Sequence, residues 1–339
     1  MYHFRKLGSG KANTVLSVDL QGYEYKVFRI RTTRDCFSVS ERNSFQHYIC
    51  SVLSIPCILY SPVHISSVPI GMSEYVDRLV EVWIGQNATI QYNLSSNKTF
   101  TVVCCELKPK WLSPSPDETK SCRFCCLHYQ ETRFCPLKLL FEDTLRETCS
   151  DLLSNKRNNI AFWENGARVS DLQFEQTTGQ SCLDIVVDIF RKHQSLLWRL
   201  SFLQSRYDRI GTSGCVSRLG NGKLEVEHLH SLFENYCDGT WLSNFDNANT
   251  VDMNIKGLCF ANTLRDLSIY FNFIVQKNTR INIKETTIKV KISDLDPKCS
   301  CRLKSRWYNQ YKQISTLPMI DHCLGVKEFK SRGHWSLIQ

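Results

Sequence analysis

Glycine, proline and long apolar runs are all scarce in this sequence. It has 15 glycines and 9 prolines in 339 residues, which excludes collagen-like and low-complexity chains. No stretch approaches the ~18 consecutive apolar residues of a membrane-spanning helix, and no repeat with a period of roughly 20 to 50 residues is visible. The remaining class is a folded globular protein, long enough for two domains or one bilobal unit at roughly 100 to 200 residues per domain.

A secretory signal is also lacking, because the chain begins MYHFRKLGSGKANTV, without the apolar core that export requires. We therefore expect a reducing compartment, in which thiols stay free. The chain has 17 cysteines, many of them in apolar runs such as VVCCEL and GLCF. We interpret these as small buried hydrophobic residues.

One segment, CRFCCLHYQETRFC, has the composition of a zinc site, since a CxxC turn chelates metal. Its candidate ligands are Cys122, Cys125, Cys126, His128 and Cys135. A second CxxC is absent from the sequence, and the CSC at residues 299–301 has the wrong spacing for a familiar site. We therefore expect reduced structural thiols here, with less than one equivalent of zinc per chain.

Positive charge is concentrated in the last part of the chain. The net charge is +9, from 42 basic and 33 acidic residues, and residues 280–339 contain 12 Lys and Arg against 5 Asp and Glu. A local basic surface attracts nucleic acid, an anionic membrane face or a multiply phosphorylated small molecule. Charge alone does not choose among these ligands, and a solvated basic tail is the alternative.

Hydrophobic periodicity divides the chain into a small β-rich front part and a larger mixed rear part. In the front part, VLSVDL and YEYKVFRI predict a hairpin, Ser40 to Leu53 predicts a helix, and the apolar TVVCCEL predicts a strand buried on both faces. In the rear part, helical spacing predicts one long helix from Cys182 to Tyr207. Two strands are predicted after it, at SIYFNFIV and TIKVKIS.

Three motifs carry the chemistry of phosphoryl transfer. In GSGKANTVL, Gly8 and Gly10 would let the backbone approach phosphate oxygens, although an ordinary turn is the alternative and the GKS or GKT ending of a P-loop is missing. In ELKPKW, Pro109 restricts the backbone between two lysines, which would hold them as a fixed pair of cations, and an exposed strand end with solvated lysines is the alternative. In ISDLDPK, two carboxylates follow a strand, where they suit Mg²⁺ or form an Asx turn.

Taken together, these motifs are similar to the inositol-pentakisphosphate 2-kinase family. The resemblance is carried, in chain order, by GSGKANTVL with KVFRI, ELKPK, CRFC, NNIAFWENG, TLRDLSIYF and DLDPK. It implies an α+β, bilobal protein-kinase-like fold, with a small β-rich N-lobe at residues 1–95 and a larger mixed C-lobe at residues 96–339. It also implies an enzyme that uses ATP and Mg²⁺ to phosphorylate the 2-hydroxyl of inositol 1,3,4,5,6-pentakisphosphate, giving inositol hexakisphosphate.

The resemblance also implies the site residues. Asp266 in TLRD would accept the proton of the 2-hydroxyl, and Lys108 would contact the phosphoryl group in transfer. The residues that would bind the nucleotide are Gly8, Gly10, Asn13, Val15, Arg29 and Asn158. The residues that would bind the inositol phosphate are Arg34, Lys110, Arg123, Asn159, Lys298 and Arg302. Magnesium would be held by Asp294 and Asp296.

The sequence departs from the family pattern in two places. Ala161 stands where an arginine is expected, so one phosphate contact is in doubt. The lysine expected shortly after CRFC is also missing, and either Arg123 or Lys138 makes its contact or the contact is not made. Near the C-terminus the position of an expected tyrosine has three candidates, Arg306, Trp307 and Tyr308.

A competing interpretation is a zinc-stapled nucleic-acid-binding module without catalytic activity, which explains the basic C-terminal part and the cysteines. It does not explain Asp294 and Asp296, because two carboxylates would repel a phosphate backbone. We therefore predict a kinase that acts on a small inositol polyphosphate, neither binds nucleic acid nor inserts into a membrane, and is located in the nucleus, the cytoplasm or both.

Overall fold

The structure is a computed structural model. It describes the backbone of the following residues: 3–9, 13–19, 26–31, 39–55, 60–63, 81–86, 100–118, 120–157, 159–219, 236–237, 239–276, 279–295, 297–298 and 303–332. Contacts within the chain divide it into two compact units. The first contains Met1–Glu106, Ala161–Gln180 and Tyr270–Ser293, and the second contains Leu107–Ile160, Ser181–Ile269 and Asp294–Gln339.

The N-terminal strands form an antiparallel five-stranded sheet in the first unit, with the order β1-β2-β3-β5-β4. Its strands are β1 (His3–Ser9), β2 (Asn13–Asp19), β3 (Lys26–Arg31), β4 (Tyr60–Val63) and β5 (Glu81–Gln86). The pairing of β2 with β3 confirms the predicted hairpin. The predicted helix is also present, as α1 (Val39–Leu53).

A second five-stranded sheet has the order β10-β9-β6-β7-β8 and lies mainly in the first unit. Its strands are β6 (Phe100–Leu107), β7 (Ile160–Glu164), β8 (Ala167–Val169), β9 (Ser268–Gln276) and β10 (Lys289–Ser293). The apolar side chains of β6 are buried on both faces, as the uninterrupted run VVCC predicts. Strands β9 and β10 confirm the two strands predicted in the rear part of the chain.

Most helices of the described chain belong to the second unit, whereas α1 and α4 belong to the first. The helices after α1 are given next. They are α2 (Arg123–His128), α3 (Glu142–Ser154), α4 (Asp171–Thr178), α5 (Cys182–Lys192), α6 (Gln194–Tyr207), α7 (Gly211–Leu219), α8 (Val251–Leu264), α9 (Tyr308–Ser315) and α10 (Val326–Arg332). Short 3-10 turns occur at Pro136–Leu140 and Thr240–Asn244. This mixture of sheets and helices confirms the α+β class.

The single long helix predicted from Cys182 to Tyr207 is wrong, because the structure has two helices there. The break is at His193, whose backbone leaves the helical region with φ −116° and ψ 23°. No proline or glycine marks the break, and the apolar stripe continues through it, so hydrophobic periodicity could not locate it.

Helices α6 and α8 pack against each other at the centre of the second unit. The aromatic rings of Tyr207 and Phe260 meet edge to face at 4.7 Å, and Gly257 permits this close approach. A Cβ atom at Gly257 would lie 2.4 Å from the carbonyl oxygen of Tyr207, so no larger residue fits without movement of a helix. In the part of the chain that the structure describes, no helix is long and apolar enough to cross a membrane.

Candidate functional site

A cavity of about 430 Å³ in the second unit is lined mainly by polar residues. We call it the cationic cavity, because six of its described lining residues are lysine or arginine. These are Lys110, Arg123, Arg157, Arg265, Lys298 and Arg306. Among the described lining residues Asp266 is the one carboxylate, and Asn159, His128 and Gln310 add further polar groups. Such a surplus of fixed cations suits a small ligand that carries several phosphate groups.

Lys110 is held in an unusual backbone conformation at the edge of the cavity. Its φ of 63° lies in the left-handed region, which non-glycine residues rarely occupy. Gln204 of α6 stabilises it by donating a hydrogen bond to the Lys110 carbonyl at 3.0 Å and accepting one from the Leu112 amide at 2.9 Å. Ser201 donates to the Leu112 carbonyl at 2.7 Å. The surrounding helix therefore fixes the segment that carries Lys110.

Asp266 lies between two lysines just beyond the C-terminus of α8. Its Oδ2 is 3.0 Å from the Nζ of Lys298, and its Oδ1 is 3.8 Å from the Nζ of Lys110. Burial alone would raise the pKa of the Asp266 carboxyl, but Lys298 and Lys110 outweigh burial and hold that pKa below its ordinary value. Asp266 is therefore ionised at neutral pH. Its side chain remains 52% exposed, so a ligand can reach it.

Burial has the opposite consequence for Lys110. It lowers the pKa of the Lys110 ammonium, and the negative charge of Asp266 opposes this only in part. Lys108 and Lys298 lower the same pKa further by like-charge repulsion. The cavity therefore holds several cations close together, and their mutual repulsion is unfavourable. Binding of an anionic ligand would reduce this repulsion.

Arg265 anchors the end of α8 immediately before Asp266. Its guanidinium donates to Asp208 at 2.7 Å and to Asn262 at 3.1 Å, and both members of the Arg265–Asp208 pair are almost fully buried. The guanidinium also lies 4.0 Å from the centre of the Trp111 ring. Arg265 thus positions Asp266, which follows it in the chain.

The guanidinium of Arg123 also lies near Trp111, 5.1 Å from the ring centre. This buried guanidinium donates to the carbonyl of Trp307 at 2.9 Å and to Gln310 at 3.0 Å. Glu118 is nearby, but burial raises the pKa of its carboxyl to about 8 against the opposing effect of Arg265 and Arg123. At neutral pH this carboxyl is largely protonated and uncharged, so it does not neutralise the positive charge of the cavity.

Lys108 and Asp294 form a second polar group in the same unit. The Nζ of Lys108 donates to Asp294 Oδ2 at 2.7 Å, and Ser268 donates to the same oxygen at 2.9 Å. Asp294 has a φ of 60°, so its backbone, like that of Lys110, is in the left-handed region. Strained backbone of this kind is concentrated at functional sites.

The structure brings five of the predicted site residues together around the cationic cavity. They are Lys110, Arg123, Asn159, Asp266 and Lys298. Arg123 and Lys138 were the two candidates for the contact of the missing lysine. Among the described residues, Arg123 lines the cavity, whereas Lys138 is in the 3-10 turn Pro136–Leu140 and is not part of the lining.

Four of the predicted nucleotide residues, Gly8, Asn13, Val15 and Arg29, are in the first unit, where strand register relates three of them. Gly8 of β1 pairs with Val15 of β2, and Val15 pairs with Arg29 of β3. Asn13 begins β2. The remaining predicted residues, Gly10, Arg34, Asn158, Asp296 and Arg302, lie outside the described residues.

Sequence reasoning missed two arginines of the cavity, namely Arg157 and Arg265. Arg265 lies inside the TLRD motif, and Arg157 directly precedes the two asparagines of NNIA, so both were next to recognised motifs. Arg157 contacts His128 and Glu131. Arg306, one of the three candidates for the expected tyrosine position, also lines the cavity.

Comparison with protein-family sequence models decides the assignment. Residues 82–313, about two thirds of the chain, match the model described as Inositol-pentakisphosphate 2-kinase. The chain belongs to the inositol-pentakisphosphate 2-kinase family. A search of curated protein sequences gave no significant match.

Family membership confirms the predicted resemblance and makes the protein a phosphotransferase with inositol phosphate kinase activity. It also decides against a module without catalytic activity, the competing interpretation of the sequence. The cationic cavity suits an inositol phosphate, because the negatively charged phosphate groups of such a ligand would pair with the lysines and arginines that line it.

Proposed function

We propose that the protein transfers the γ-phosphate of ATP to the 2-hydroxyl of inositol 1,3,4,5,6-pentakisphosphate, producing inositol hexakisphosphate and ADP. The observation that carries this proposal is the cationic cavity, which places six lysine and arginine residues around the single carboxylate of Asp266 among its described lining residues. An acceptor with five phosphate groups needs many fixed cations and one group that orients its reacting hydroxyl.

Asp266 is the catalytic base in this proposal. Its ionised carboxylate accepts a hydrogen bond from the 2-hydroxyl and takes the proton as the new O–P bond forms and the bond from the γ-phosphorus to ADP breaks. With a lowered pKa it is a weak base, so its main contribution is to orient the hydroxyl. Lys298 and Lys110, now paired with Asp266, exchange that contact for phosphate groups of the acceptor.

Arg157 is our candidate for the charge missing at Ala161. It precedes the Asn158–Asn159 pair and lines the cavity together with Asn159. Asn159 is buried and its carbonyl accepts a hydrogen bond from the Lys108 amide at 2.7 Å, so the position of this segment is tied to ELKPK. Arg123 provides a further positive charge at the cavity wall, and Arg34 and Arg302 complete the proposed acceptor contacts.

ATP and Mg²⁺ are the proposed phosphoryl donor and metal ion. The donor set fits Mg²⁺, which prefers one or two carboxylates together with phosphate oxygens, and Asp294 with Asp296 would provide the carboxylates. When bound, Mg²⁺ neutralises charge on the phosphates. Lys108, which pairs with Asp294 at 2.7 Å, is placed to contact the phosphoryl group. Gly8, Gly10, Asn13, Val15, Arg29 and Asn158 are the proposed nucleotide contacts.

We also propose that the two-part division predicted from the sequence, with a β-rich N-lobe at residues 1–95 and a C-lobe at residues 96–339, corresponds to a bilobal protein-kinase-like arrangement. The antiparallel sheet of β1 to β5 supports the N-lobe part of this proposal. The proposed location is the nucleus, the cytoplasm or both, and the proposed partner is a small inositol polyphosphate, with no role for nucleic acid.

The test is to incubate the purified full chain with ATP, Mg²⁺ and inositol 1,3,4,5,6-pentakisphosphate and to separate the inositol phosphates by anion-exchange chromatography. We expect inositol hexakisphosphate to accumulate in proportion to ADP. A product phosphorylated at another position, or turnover only with inositol phosphates that carry fewer phosphate groups, would contradict the proposed substrate.

A further inference from the structure

Three polar side chains meet at one edge of the cationic cavity. We call His128, Glu131 and Arg157 the Glu131 cluster. The Nδ1 atom of His128 lies 2.8 Å from Oε2 of Glu131 and 2.6 Å from Nη1 of Arg157, and Arg157 also forms an ion pair with Glu131. Among the described residues His128 and Arg157 line the cavity, whereas Glu131 is not part of the lining. A carboxylate beside the cavity therefore contacts two of the groups that face it.

The backbone after α2 places Glu131 next to His128. The amide of Glu131 donates a hydrogen bond to the His128 carbonyl at 2.9 Å, and the amide of Thr132 donates to the same oxygen at 3.1 Å. The chain turns at this point and brings the two side chains together. The His128 ring packs against Phe124, with the ring centres 4.8 Å apart, so the orientation of the imidazole is restricted as well.

The turn that carries Arg157 is attached to Glu131 by two contacts. The side-chain amide of Asn155 donates to the Glu131 carbonyl, and the guanidinium of Arg157 pairs with the Glu131 carboxylate. Arg157 itself has a φ of 45°, in the left-handed region that non-glycine residues rarely adopt and that is concentrated at functional sites. The fold therefore brings Arg157 to the cavity together with an anionic partner.

Glu131 is ionised at neutral pH, and its contacts are open to exchange. Hydrogen bonding to His128 lowers the pKa of the Glu131 carboxyl, and the positive charge of Arg157 lowers it further. Nδ1 of His128 either donates to the carboxylate or accepts from the guanidinium, so the cluster cannot form all of its hydrogen bonds at once. The side chains of Glu131 and Arg157 are 49% and 35% exposed, so a ligand can reach them.

We propose that Glu131 is a specificity-determining residue, an internal anion that takes the place of one acceptor phosphate group at a subsite formed by Arg157 and His128. This inference rests on the proposed function and extends it to the range of acceptors. An acceptor without a phosphate group at this subsite leaves the Glu131 cluster intact. An acceptor with one must displace Glu131 before it gains contacts with Arg157, so that phosphate group adds little to binding. The cavity therefore accepts inositol phosphates with or without it.

Arg123 provides a contrast within the same cavity. Its guanidinium donates to the uncharged carbonyl of Trp307 and to the amide side chain of Gln310, so a phosphate group can pair with it without displacing an anion from those contacts. Loss of a phosphate group opposite Arg123 should therefore weaken binding by the full value of a charge-assisted contact. The subsite of Glu131 should tolerate such a loss, and this difference makes the acceptors distinguishable by experiment.

The test is equilibrium binding, by titration calorimetry of the full chain without ATP. The ligands are inositol 1,3,4,5,6-pentakisphosphate and the tetrakisphosphates that each lack one of its phosphate groups. In the unmodified chain, one tetrakisphosphate should bind within about threefold of the pentakisphosphate. In Glu131→Gln, the Kd of that isomer should stay the same. The pentakisphosphate and the other isomers should bind about three- to fivefold more tightly, because their phosphate group no longer competes with a carboxylate.

Glu147→Gln is the matched control for the change of charge. Glu147 is an exposed carboxylate of α3 outside the cavity lining, and its loss should change every Kd by less than about twofold, because salt screens distant charges. In a chain that already carries Arg157→Ala, the selective gain from Glu131→Gln should disappear, since the two residues act through one contact.

Equal tightening of all these ligands in Glu131→Gln would overturn the assignment of Glu131, as would an unchanged Kd for the pentakisphosphate or a selective gain that persists without Arg157. These readouts do not depend on turnover, so the two proposals can fail separately. Binding with the expected pattern but no phosphorylation of the 2-hydroxyl would contradict the proposed function alone. Formation of inositol hexakisphosphate without the pattern would contradict the role of Glu131 alone.

Discussion

The cationic cavity and a cluster of four cysteines share the segment from Cys122 to Cys125, yet they are built on opposite physical principles. The members of this cysteine cluster, whose sulfur atoms all lie within 4.8 Å of one another, are Cys122, Cys125, Cys135 and Cys323. Four thiolates at this spacing suit a tetrahedral zinc ion, although the sequence predicts free thiols. In the cavity, Lys110 and Lys298 lie beside a carboxylate that is 52% exposed. A ligand from solvent can therefore replace these ion pairs. In the cluster, the sulfurs are almost fully buried, and burial raises the pKa of the Cys122 thiol.

The difference separates a site for exchange from a site for permanent occupation. Lys110 and Lys298 are only 22% and 14% exposed, so a lysine that loses Asp266 as its partner needs another anion, which a phosphate group of the ligand provides. Buried thiols become thiolates only when a cation compensates for the lost hydration. Substitutions in the two regions should accordingly change different quantities, namely kinetic constants in the cavity and metal content in the cluster.

The largest expected effect is that of Asp266→Asn. Removal of the charge that orients the acceptor hydroxyl should reduce kcat by a factor of about 100 or more. Acceptor KM should stay the same or fall, because Lys110 and Lys298 lose their competing carboxylate. Zinc content should not change. The measurement is steady-state kinetics with both substrates, together with elemental analysis.

Asp252→Asn is the matched control for this substitution. Asp252 is an exposed carboxylate in the first turn of α8, at the opposite end of the helix from Asp266, and its loss should leave kcat nearly unchanged. Turnover of Asp266→Asn close to that of this control would remove Asp266 from the mechanism.

Arg123→Ala should affect both regions and therefore tests how far they are coupled. It removes the hydrogen bonds to Trp307 and Gln310 and leaves their acceptors buried, which should cost roughly 2 kcal/mol of unfolding free energy. Acceptor KM should rise while zinc content does not change. Denaturant unfolding and elemental analysis provide the two readouts, and loss of zinc at this variant would show that the regions are a single structural element.

The two regions also differ in how well the sequence predicts them. Local pattern singled out Lys110, which follows a proline that restricts the backbone. The roles of Asp266 and Lys298 were implied by the resemblance of TLRD and DLDPK to the family. Periodicity is a local signal, so it predicted the α+β class and five of the ten strands of the described chain, namely β2, β3, β6, β9 and β10. The positions of these residues around one cavity, and the presence of Arg306 there, required the fold.

The cysteine cluster was not predictable from local pattern. Three of its members are within one short segment, but the fourth, Cys323, is in the C-terminal part of the chain, and spacing rules consider only neighbouring residues. The prediction of one long helix across His193 failed for a related reason, because neither proline nor glycine marks the boundary between α5 and α6.

A smaller, selective effect is expected for Lys298→Ala. Loss of one charge-assisted contact should raise acceptor KM by about tenfold, which corresponds to the lower part of the ~1.5 to 3 kcal/mol range for hydrogen bonds to charged groups. The KM for ATP should change little. Lys330→Ala is the control, because Lys330 is an exposed lysine on α10 outside the cavity. A rise confined to the KM for ATP would instead assign Lys298 to the nucleotide.

The smallest expected effect is a pH dependence that originates at Lys110. Burial lowers the pKa of this lysine, with Asp266 opposing the shift in part, so Lys110 loses its proton at a lower pH than an exposed lysine. Further ionisation of the acceptor's phosphate groups at higher pH would strengthen their binding to cations rather than weaken it. A few-fold rise in acceptor KM with increasing pH would then report the loss of charge on the protein. In Lys110→Arg the rise should disappear from the same pH range, because arginine stays protonated. Persistence of an identical rise in that variant would assign the titration to another group, whereas its disappearance would show that a reversible change of charge in the cationic cavity controls acceptor binding.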